Sequence, residues 1–229
     1  MLCNLIIVKY PKYLGLFGML SMAVFRLPLA LHKRISFYKL LGCGKNGTFD
    51  THPDWRQWGV LTVYNGSDEE ILPSFIQKWW RFFHCEVWSV TLQPIEGHGT
   101  WDQKNCFGAL PKQTPYEGLI AVLTRASIRV SKLRRFWSHV PAVAHQMRCA
   151  KGFITSVGIG EVPWVKGATF SIWDSKALMK QFAYSMQEHA DVVVKTKKER
   201  WYSEEMFVRF IPLSSSGSLN GFNPLQEKL

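Results

Sequence analysis

The chain has 229 residues, of which 47% are apolar and 14% aromatic, a composition that excludes a disordered protein and favours a packed globular one. Its 28 Lys and Arg against 17 Asp and Glu give a net charge of +11, which favours anionic partners. The basic residues are scattered and lack the signature of a nucleic-acid-binding module, so we expect no nucleic-acid partner. The five cysteines include no CxxC pair, which argues against a zinc site or a disulfide framework and for reduced thiols in a cytoplasmic protein.

The N-terminal region predicts a strand followed by a helix. Residues 5–8 read Leu-Ile-Ile-Val, a short β-like run, and residues 13–31 form a largely apolar run. Arg26 and Pro28 interrupt this run, and no small-residue cleavage site is clear, so we interpret it as a buried helix. Insertion of the run into a membrane is the alternative interpretation.

An internal repeat organises the rest of the chain. The pattern Phe-x4-Gly-x-Gly occurs at residues 37–44 and again at residues 153–160, an offset of 116 residues. Apolar alternation and turn residues around it predict the order β-α-β-β-α-β twice. The first copy has predicted strands near 4–9, 35–43, 57–64 and 86–94, and predicted helices near 13–31 and 68–84. The second copy has predicted strands near 118–125, 151–160, 167–173 and 205–212, and predicted helices near 131–148 and 175–199.

The order β-α-β-β-α-β is the ferredoxin-like plan. We therefore predict an α+β protein in which two tandem ferredoxin-like halves place sheet against sheet and form an intrachain α/β barrel with a central cavity. A barrel whose centre is packed solid is the alternative. The predicted boundaries are an N-terminal half over 1–100, a linker over 101–117 rich in Gly and Pro, and a C-terminal half over 118–229.

The second copy is about 10 residues longer than the first between the start of its last helix and the end of its last strand. This insertion contains His189, which shares one helical face with Val192 and Val193. A neutral imidazole on an apolar face suits a haem iron, whereas a half-buried histidine bonded to a backbone carbonyl is the commoner alternative. His139 and His145 are six residues apart, so they do not share a face as paired zinc ligands would.

Two further patterns bear on the site, one as a candidate and one as an exclusion. Arg125 ends an apolar strand and Arg209 lies in another, and either could hold a haem propionate, the alternative being an outward arginine paired with Glu204 or Glu205. The sequence Gly-Ile-Gly-Glu-Val-Pro-Trp at residues 158–164 lacks the third glycine of a dinucleotide-binding loop. The chain also has no GxSxG, Walker or HExxH motif, so hydrolase and nucleotide-binding functions lose support.

Several segments, in one order along nearly the whole chain, resemble the spheroidene monooxygenase family. The matching segments are densest between residues 118 and 213. In the first half they are Phe37, Lys39–Gly42 and Trp58. In the second half they are Leu123–Ala126, Phe136–Ser138 with Val140-Pro141, Gly158–Trp164, Thr169–Ser171 with Trp173, Phe182–Tyr184, His189-Ala190, and Trp201 with Glu204-Glu205 and Arg209-Phe210.

This resemblance implies a haem protein that introduces a keto group at C-2 of acyclic carotenoids, using dioxygen and electrons from a ferredoxin-type donor. The chemistry would be two hydroxylations followed by loss of water. Because His189 stands in the matching segment Phe-Ala-Tyr…His, the resemblance implies that it is the haem-iron ligand. We expect Tyr184, Phe170, Trp164 and Met179 to line the dry site that such chemistry requires, with Arg125 as the propionate partner.

Two rival functions stay open. One is a haem- or lipid-binding module of the same barrel fold without turnover, and the other is a cofactor-free barrel monooxygenase. A carotenoid lives in the bilayer, and a basic surface would help an enzyme to dock there. We therefore expect a cytoplasmic protein that associates peripherally with the inner face of the membrane.

Overall fold

The computed structural model describes residues 1–45, 52–66, 72–185, 196 and 198–229. The first half contains β1 (Leu2–Lys9), α1 (Gly15–Val24), α2 (Arg26–Ala30), β2 (Ile35–Gly44), β3 (Pro53–Tyr64), α3 (Ser74–Phe82) and β4 (Glu86–Gly99). The second half contains β5 (Ile120–Ile128), α4 (Leu133–Cys149), β6 (Phe153–Val162), β7 (Lys166–Trp173), α5 (Lys176–Ser185) and β8 (Tyr202–Gly217). The element order β-α-β-β-α-β therefore occurs twice, as the sequence predicted.

The apolar run at residues 13–31 forms two helices and not one. Pro28 has no backbone N–H to bond the carbonyl of Val24, and the helix is interrupted at Phe25, between α1 and α2. In the described parts of the chain, no helix is long and apolar enough to cross a membrane. The predicted helix 175–199 is described only as far as Ser185, and most of its remaining residues lie outside the described part of the chain.

The eight strands form one closed antiparallel barrel in the order β1-β3-β2-β6-β7-β5-β8-β4. Each half keeps the ferredoxin-like strand order, so the predicted fold class is confirmed. The picture of two separate sheets facing each other needs correction, because the sheets join through hydrogen bonds at both edges. The long seam, β4 with β8, runs from Trp88↔Gly217 to Gly99↔Met206, whereas the short seam, β2 with β6, consists of Gly42↔Gly160 and Cys43↔Ile159.

The strand pairing relates the two halves by a pseudo-two-fold axis. Residues in β1, β2 and β4 correspond to residues 118 positions later in β5, β6 and β8. At each seam a residue pairs with its own counterpart, Gly42 with Gly160 and Gln93 with Ile211. The offset of 116 taken from the Phe-x4-Gly-x-Gly pattern was therefore wrong by two residues, and Phe153 corresponds to Ile35.

The barrel interior is filled, which corrects the predicted central cavity. Apolar side chains from every strand meet there, including Trp88, Phe170 and Phe210, each at most 1% exposed. Trp101 and Phe107 of the linker and Leu219 and Leu225 of the C-terminal segment join the same cluster. Packing of this kind is the solid-centred alternative to the predicted cavity.

Candidate functional site

The outer face of the first half is closed by large side chains. Under α1, α2 and α3 the sheet presents six apolar or aromatic residues that pack against Phe25, Leu29, Ile76 and Trp80. Those six residues are Ile6, Val8, Tyr38, Leu40, Trp58 and Val60. Gly18 of α1 lies directly on the Trp58 ring, and a Cβ there would overlap it. Helix and sheet are therefore in close contact in this half.

The outer face of the second half has small residues at the corresponding positions. The strand registers equate the six large residues, in the same order, with Thr124, Ala126, Ser156, Gly158, Gly167 and Thr169. We call these six residues the small-residue floor. Phe136, Trp137 and Val140 of α4 are only half-buried, and Thr124 is exposed although β5 is a central strand of its half. At these positions the described part of the second half thus lacks the large side chains that fill the same layer in the first half.

A pocket with a volume of about 260 Å³ extends from this floor across the short seam. Glycines of both halves form its base, namely Gly42, Gly44, Gly158, Gly160 and Gly167. Its walls carry four tryptophans, namely Trp55, Trp58, Trp137 and Trp164. The Trp58 Nε1–H donates to the Trp55 carbonyl at 3.0 Å, and the Trp137 Nε1–H donates to the Trp164 carbonyl at 3.1 Å. Because these N–H groups are satisfied, the ring faces form a largely apolar lining.

The predicted site residues whose side chains the structure describes do not come together. Phe170 and Arg125 point into the barrel interior, whereas Met179 packs on the outer face with Trp173 and Phe182. Of the predicted residues whose side chains the structure describes, only Trp164 lines the pocket, in the β6–β7 turn, where it is 54% exposed. Tyr184 lies in α5, but its side chain is outside the described part of the structure. His189 also lies outside the described residues.

Arg125 pairs with a carboxylate, as in the alternative to a propionate partner, but it does so on the inward face of the barrel. Its side chain is 1% exposed, pairs with Glu204, and lies 3.6 Å from Asp102 and 3.8 Å from Glu161. Its guanidinium also stacks on the Trp101 ring at 5.5 Å. The arginine faces inward and fastens the start of the linker to the barrel. This position, on the opposite side of the sheet from the small-residue floor, does not support a role at a propionate on that floor.

Two of the carboxylates around Arg125, those of Asp102 and Glu204, are held ionised. Burial alone would raise the pKa of Asp102, but hydrogen bonds from Lys39 and Lys166 outweigh it and lower the pKa to about 2. Burial likewise opposes ionisation of Glu204, whose pKa is lowered to about 2 by the Gln103 N–H, the Thr100 hydroxyl and Arg125. Because these groups are paired with cations and neighbouring donors, we assign the cluster a structural role.

A second buried ion cluster lies at the long seam. Glu96 is fully buried, pairs with Arg209 across the seam and accepts a hydrogen bond from Lys176 at 2.9 Å. The Thr114 N–H, 2.7 Å from the same carboxylate, ties the linker to this cluster. Burial would raise the pKa of Glu96, but the bonds from Lys176, Arg209 and Thr114 lower it to about 2. Arg209, for which the sequence offered Glu204 and Glu205 as partners, is thus committed to Glu96.

The small-residue floor fits a flat, mostly apolar group such as haem. The large side chains at the corresponding positions of the first half would occupy that space, and two residues of the floor, Gly158 and Gly167, line the tryptophan pocket. The expected iron ligand, His189, follows α5 of the same half in the sequence. On α4, the His139 Nδ1–H donates to the Arg135 carbonyl at 2.8 Å and the ring lies 5.6 Å from that of Trp201. His145 is exposed.

Sequence reasoning named Trp164 but missed the floor and the other three tryptophans of the pocket, and it noted the glycines at 158 and 160 only because the third glycine of a dinucleotide-binding loop is lacking. A strand-by-strand alignment of the two copies could have found them, since it shows six large residues replaced by small ones. Trp137 and Trp164 come from separate elements, α4 and the β6–β7 turn, so only the fold shows that they adjoin.

Comparison with known proteins gives close relatives by sequence, although no protein-family model matches the chain. The spheroidene monooxygenase of Rhodobacter capsulatus is 34% identical over 216 residues, covering 91% of this chain and 88% of that protein. The spheroidene monooxygenase of Rubrivivax gelatinosus is 35% identical over 190 residues, covering 81% of this chain and 72% of that protein. Together with the barrel, these relatives define a monooxygenase, an oxidoreductase. The chain belongs to the spheroidene monooxygenase family.

Among solved structures, an aldoxime dehydratase (OxdRE) in complex with butyraldoxime superposes with a TM-score of 0.58. The match covers 93% of this chain and 79% of that chain at 7% sequence identity. At this identity the likeness shows the fold alone, and it agrees with a barrel built from two α+β halves.

Proposed function

We propose that the chain is a haem-dependent monooxygenase that introduces a keto group at C-2 of an acyclic carotenoid, the conversion of the spheroidene-to-spheroidenone type. The sequence relatives support the substrate class, since they are named for spheroidene. The observation that carries the proposal is the small-residue floor, because one half of a duplicated fold has small residues where the other has large ones, as a flat cofactor on that face would require.

The reaction balances as two hydroxylations of one methylene followed by dehydration. Each hydroxylation consumes one dioxygen, two electrons and two protons and releases one water, and loss of water from the resulting geminal diol leaves the ketone. Haem, when bound, would supply dioxygen activation. We propose a ferredoxin-type electron donor, whose acidic surface would suit the net charge of +11, and peripheral contact with a membrane that holds the substrate.

The chain's own residues would hold the haem and shape the site. His189 would ligate the iron, and Gly158 and Thr169 would let the ring system approach the sheet. The rings of Trp58, Trp137 and Trp164 would contact the polyene and exclude water from the reacting carbon. A volume of about 260 Å³ is small for a whole carotenoid, so the pocket would take one end of the chain. Position C-2 lies near such an end.

The test is to produce the protein with haem and compare it with His189→Ala. The wild-type protein should show a Soret band and, with reductant, dioxygen and spheroidene, should form the ketone. His189→Ala should retain the wild-type circular dichroism and thermal midpoint but lose haem or show a shifted Soret band. An unchanged Soret band in His189→Ala would contradict the ligand assignment and direct attention to His139.

The same experiment separates the rival functions. A haem- or lipid-binding module would show the Soret band and bind carotenoid but form no product. A cofactor-free monooxygenase would form product while it stays colourless after haem is supplied. Either result would overturn the proposal as stated.

A further inference from the structure

The helices α1 and α2 present an exposed apolar face. Six large side chains between residues 13 and 31 are between 47% and 87% exposed, and they are Tyr13, Leu16, Met19, Leu20, Leu27 and Leu31. We call this set the α1–α2 face. Contiguous apolar side chains on a helix surface are costly in water and mark contact sites, whereas single exposed ones are ordinary.

The corresponding helix of the second half shows that the fold does not require such a face. Helix α4 occupies the equivalent place in the duplicated plan, and its exposed positions are mostly polar. They include Arg134, Arg135, Ser138, His145 and Arg148. The apolar character of the α1–α2 face therefore belongs to the first half alone.

The charge around the face indicates an anionic partner. Exposed cations lie along the same segment, at Lys12, Arg26, Lys33 and Arg34, and the first 49 residues of the chain contain no Asp or Glu. Leucines flanked by Lys and Arg, with a tyrosine at one end, are the pattern of a helix that lies in the headgroup region of an anionic bilayer. A protein partner that bound only the apolar side chains would not require the surrounding charges to be all positive.

The mouth of the tryptophan pocket adjoins this face. Gly15, at the start of α1, lies against β3, and a Cβ there would be 3.1 Å from the Trp55 carbonyl oxygen. Trp55 lines the pocket and is 59% exposed. A surface that held the α1–α2 face would therefore lie beside the pocket opening.

We propose that the α1–α2 face docks on the anionic surface of a lipid bilayer and places the pocket mouth at the membrane, so that an apolar substrate enters from the lipid. The substrate route rests on the proposed function, whereas the docking itself does not. Apolar insertion supplies part of the binding and the basic residues supply a part that salt screens.

The experiment is flotation of the full chain with phosphatidylcholine vesicles, with and without phosphatidylglycerol. The test variant is the triple substitution Leu16→Ser, Leu27→Ser and Leu31→Ser. The matched control substitutes serine for three exposed residues elsewhere, Val130, Leu213 and Phe222. The wild type and the control should float with anionic vesicles, and less protein should float as the salt concentration rises. The partition of the triple variant onto these vesicles should be lower by a factor of roughly ten or more.

Two results would overturn the proposal. One is vesicle binding of the triple variant equal to that of the control. The other is a wild type that is dimeric without lipid and becomes monomeric on the triple substitution, since the face would then contact a second copy of the chain.

Activity measurements keep this test separate from the proposed function. With detergent-dispersed spheroidene the triple variant should match the wild type, and with vesicle-borne spheroidene it should be slower by a similar factor of roughly ten. A wild type with no activity in either assay would refute the proposed function while flotation still decided the docking.

Discussion

The two halves of the barrel share one backbone plan but differ in how they close the layer between sheet and helices. The first half fills this layer with Tyr38, Leu40, Trp58 and Val60, and Gly18 brings α1 against the sheet. The second half has Ser156, Gly158, Gly167 and Thr169 at the same places, under a helix whose apolar side chains are half-buried. One copy of the duplication thus provides packing, and the other has small residues where we propose the cofactor site.

The largest expected effect comes from filling the floor of the second half. Gly158→Leu introduces the residue that the first half has at the corresponding position, Leu40, and Gly158 does not have a positive φ that would strain a side chain. Haem content and ketone formation should fall by roughly two orders of magnitude because the leucine occupies the cofactor's space. Soret absorbance per protein and turnover measure this.

Gly158→Ala is the size control for that variant. A methyl group leaves most of the space, so its Soret band should stay within roughly twofold of the wild type, and the thermal midpoint of both variants should change little. Normal haem binding by Gly158→Leu would show that the cofactor does not use the floor, and the comparison between the halves would lose its functional meaning.

The next effect concerns the ion cluster at the long seam, which only one side of the pseudo-two-fold axis has. Glu96 pairs across the seam with Arg209, whereas the symmetry-related pair is Ser214 with Thr91. Glu96→Gln leaves the buried cations of Arg209 and Lys176 without a carboxylate, and we expect a loss of about 3–5 kcal/mol in the free energy of unfolding. Ser214→Ala should cost less than about 0.5 kcal/mol. Urea unfolding at neutral pH measures both, and similar losses would mean that the charges are not what stabilises this seam.

A third, smaller effect tests the packing difference directly. Val60 is fully buried in the first half, and Val60→Ala should destabilise the haem-free protein by about 2 kcal/mol through lost burial and a residual cavity. Thr169→Ala, at the corresponding position of the second half, should cost less than about 1 kcal/mol, because its surroundings are already open. Equal losses in urea unfolding would show that the two layers are packed alike.

The fold could be predicted from the sequence because each strand is an apolar run bounded by turn residues and the order repeats. The register could not, because bulges near Phe37 and Phe153 shift the pairing by amounts that the letters do not show. The filled interior was only the alternative to a predicted cavity, for a different reason. Trp101 and Phe107 lie in a segment rich in Gly and Pro, which looks like a linker, yet both insert into the core.

The candidate site was predicted less well than the fold. Arg125 was placed in the site because it ends an apolar strand, but strand parity puts it on the interior face with Leu123. Phe170 shares that interior face, so two of the predicted lining residues are separated from Met179 by the sheet itself. Residue type and resemblance alone could not show whether a strand residue points into the barrel or outward. That requires knowing which alternate residues of each strand face the core.

The smallest effect is the acid response of the long-seam cluster. The pKa of Glu96 is about 2 in the folded protein, while the carboxyl of the unfolded chain has its ordinary value of about 4.3. Between these values the unfolded state binds a proton that the folded state does not, so the stability supplied by Glu96 is present above about pH 4.3 and is lost as the pH falls towards 2. Asp102 and Glu204, whose pKa values are also lowered to about 2, act in the same direction.

Glu96→Gln should therefore be less stable than the wild type at neutral pH, and the difference should shrink on acidification. Between about pH 4.3 and pH 2, unfolding of the variant should take up about one proton fewer than unfolding of the wild type. Urea midpoints measured from pH 5 to pH 2 test this, with Ser214→Ala following the wild-type curve, and a constant gap between wild type and Glu96→Gln would show that Glu96 does not ionise differently in the folded state.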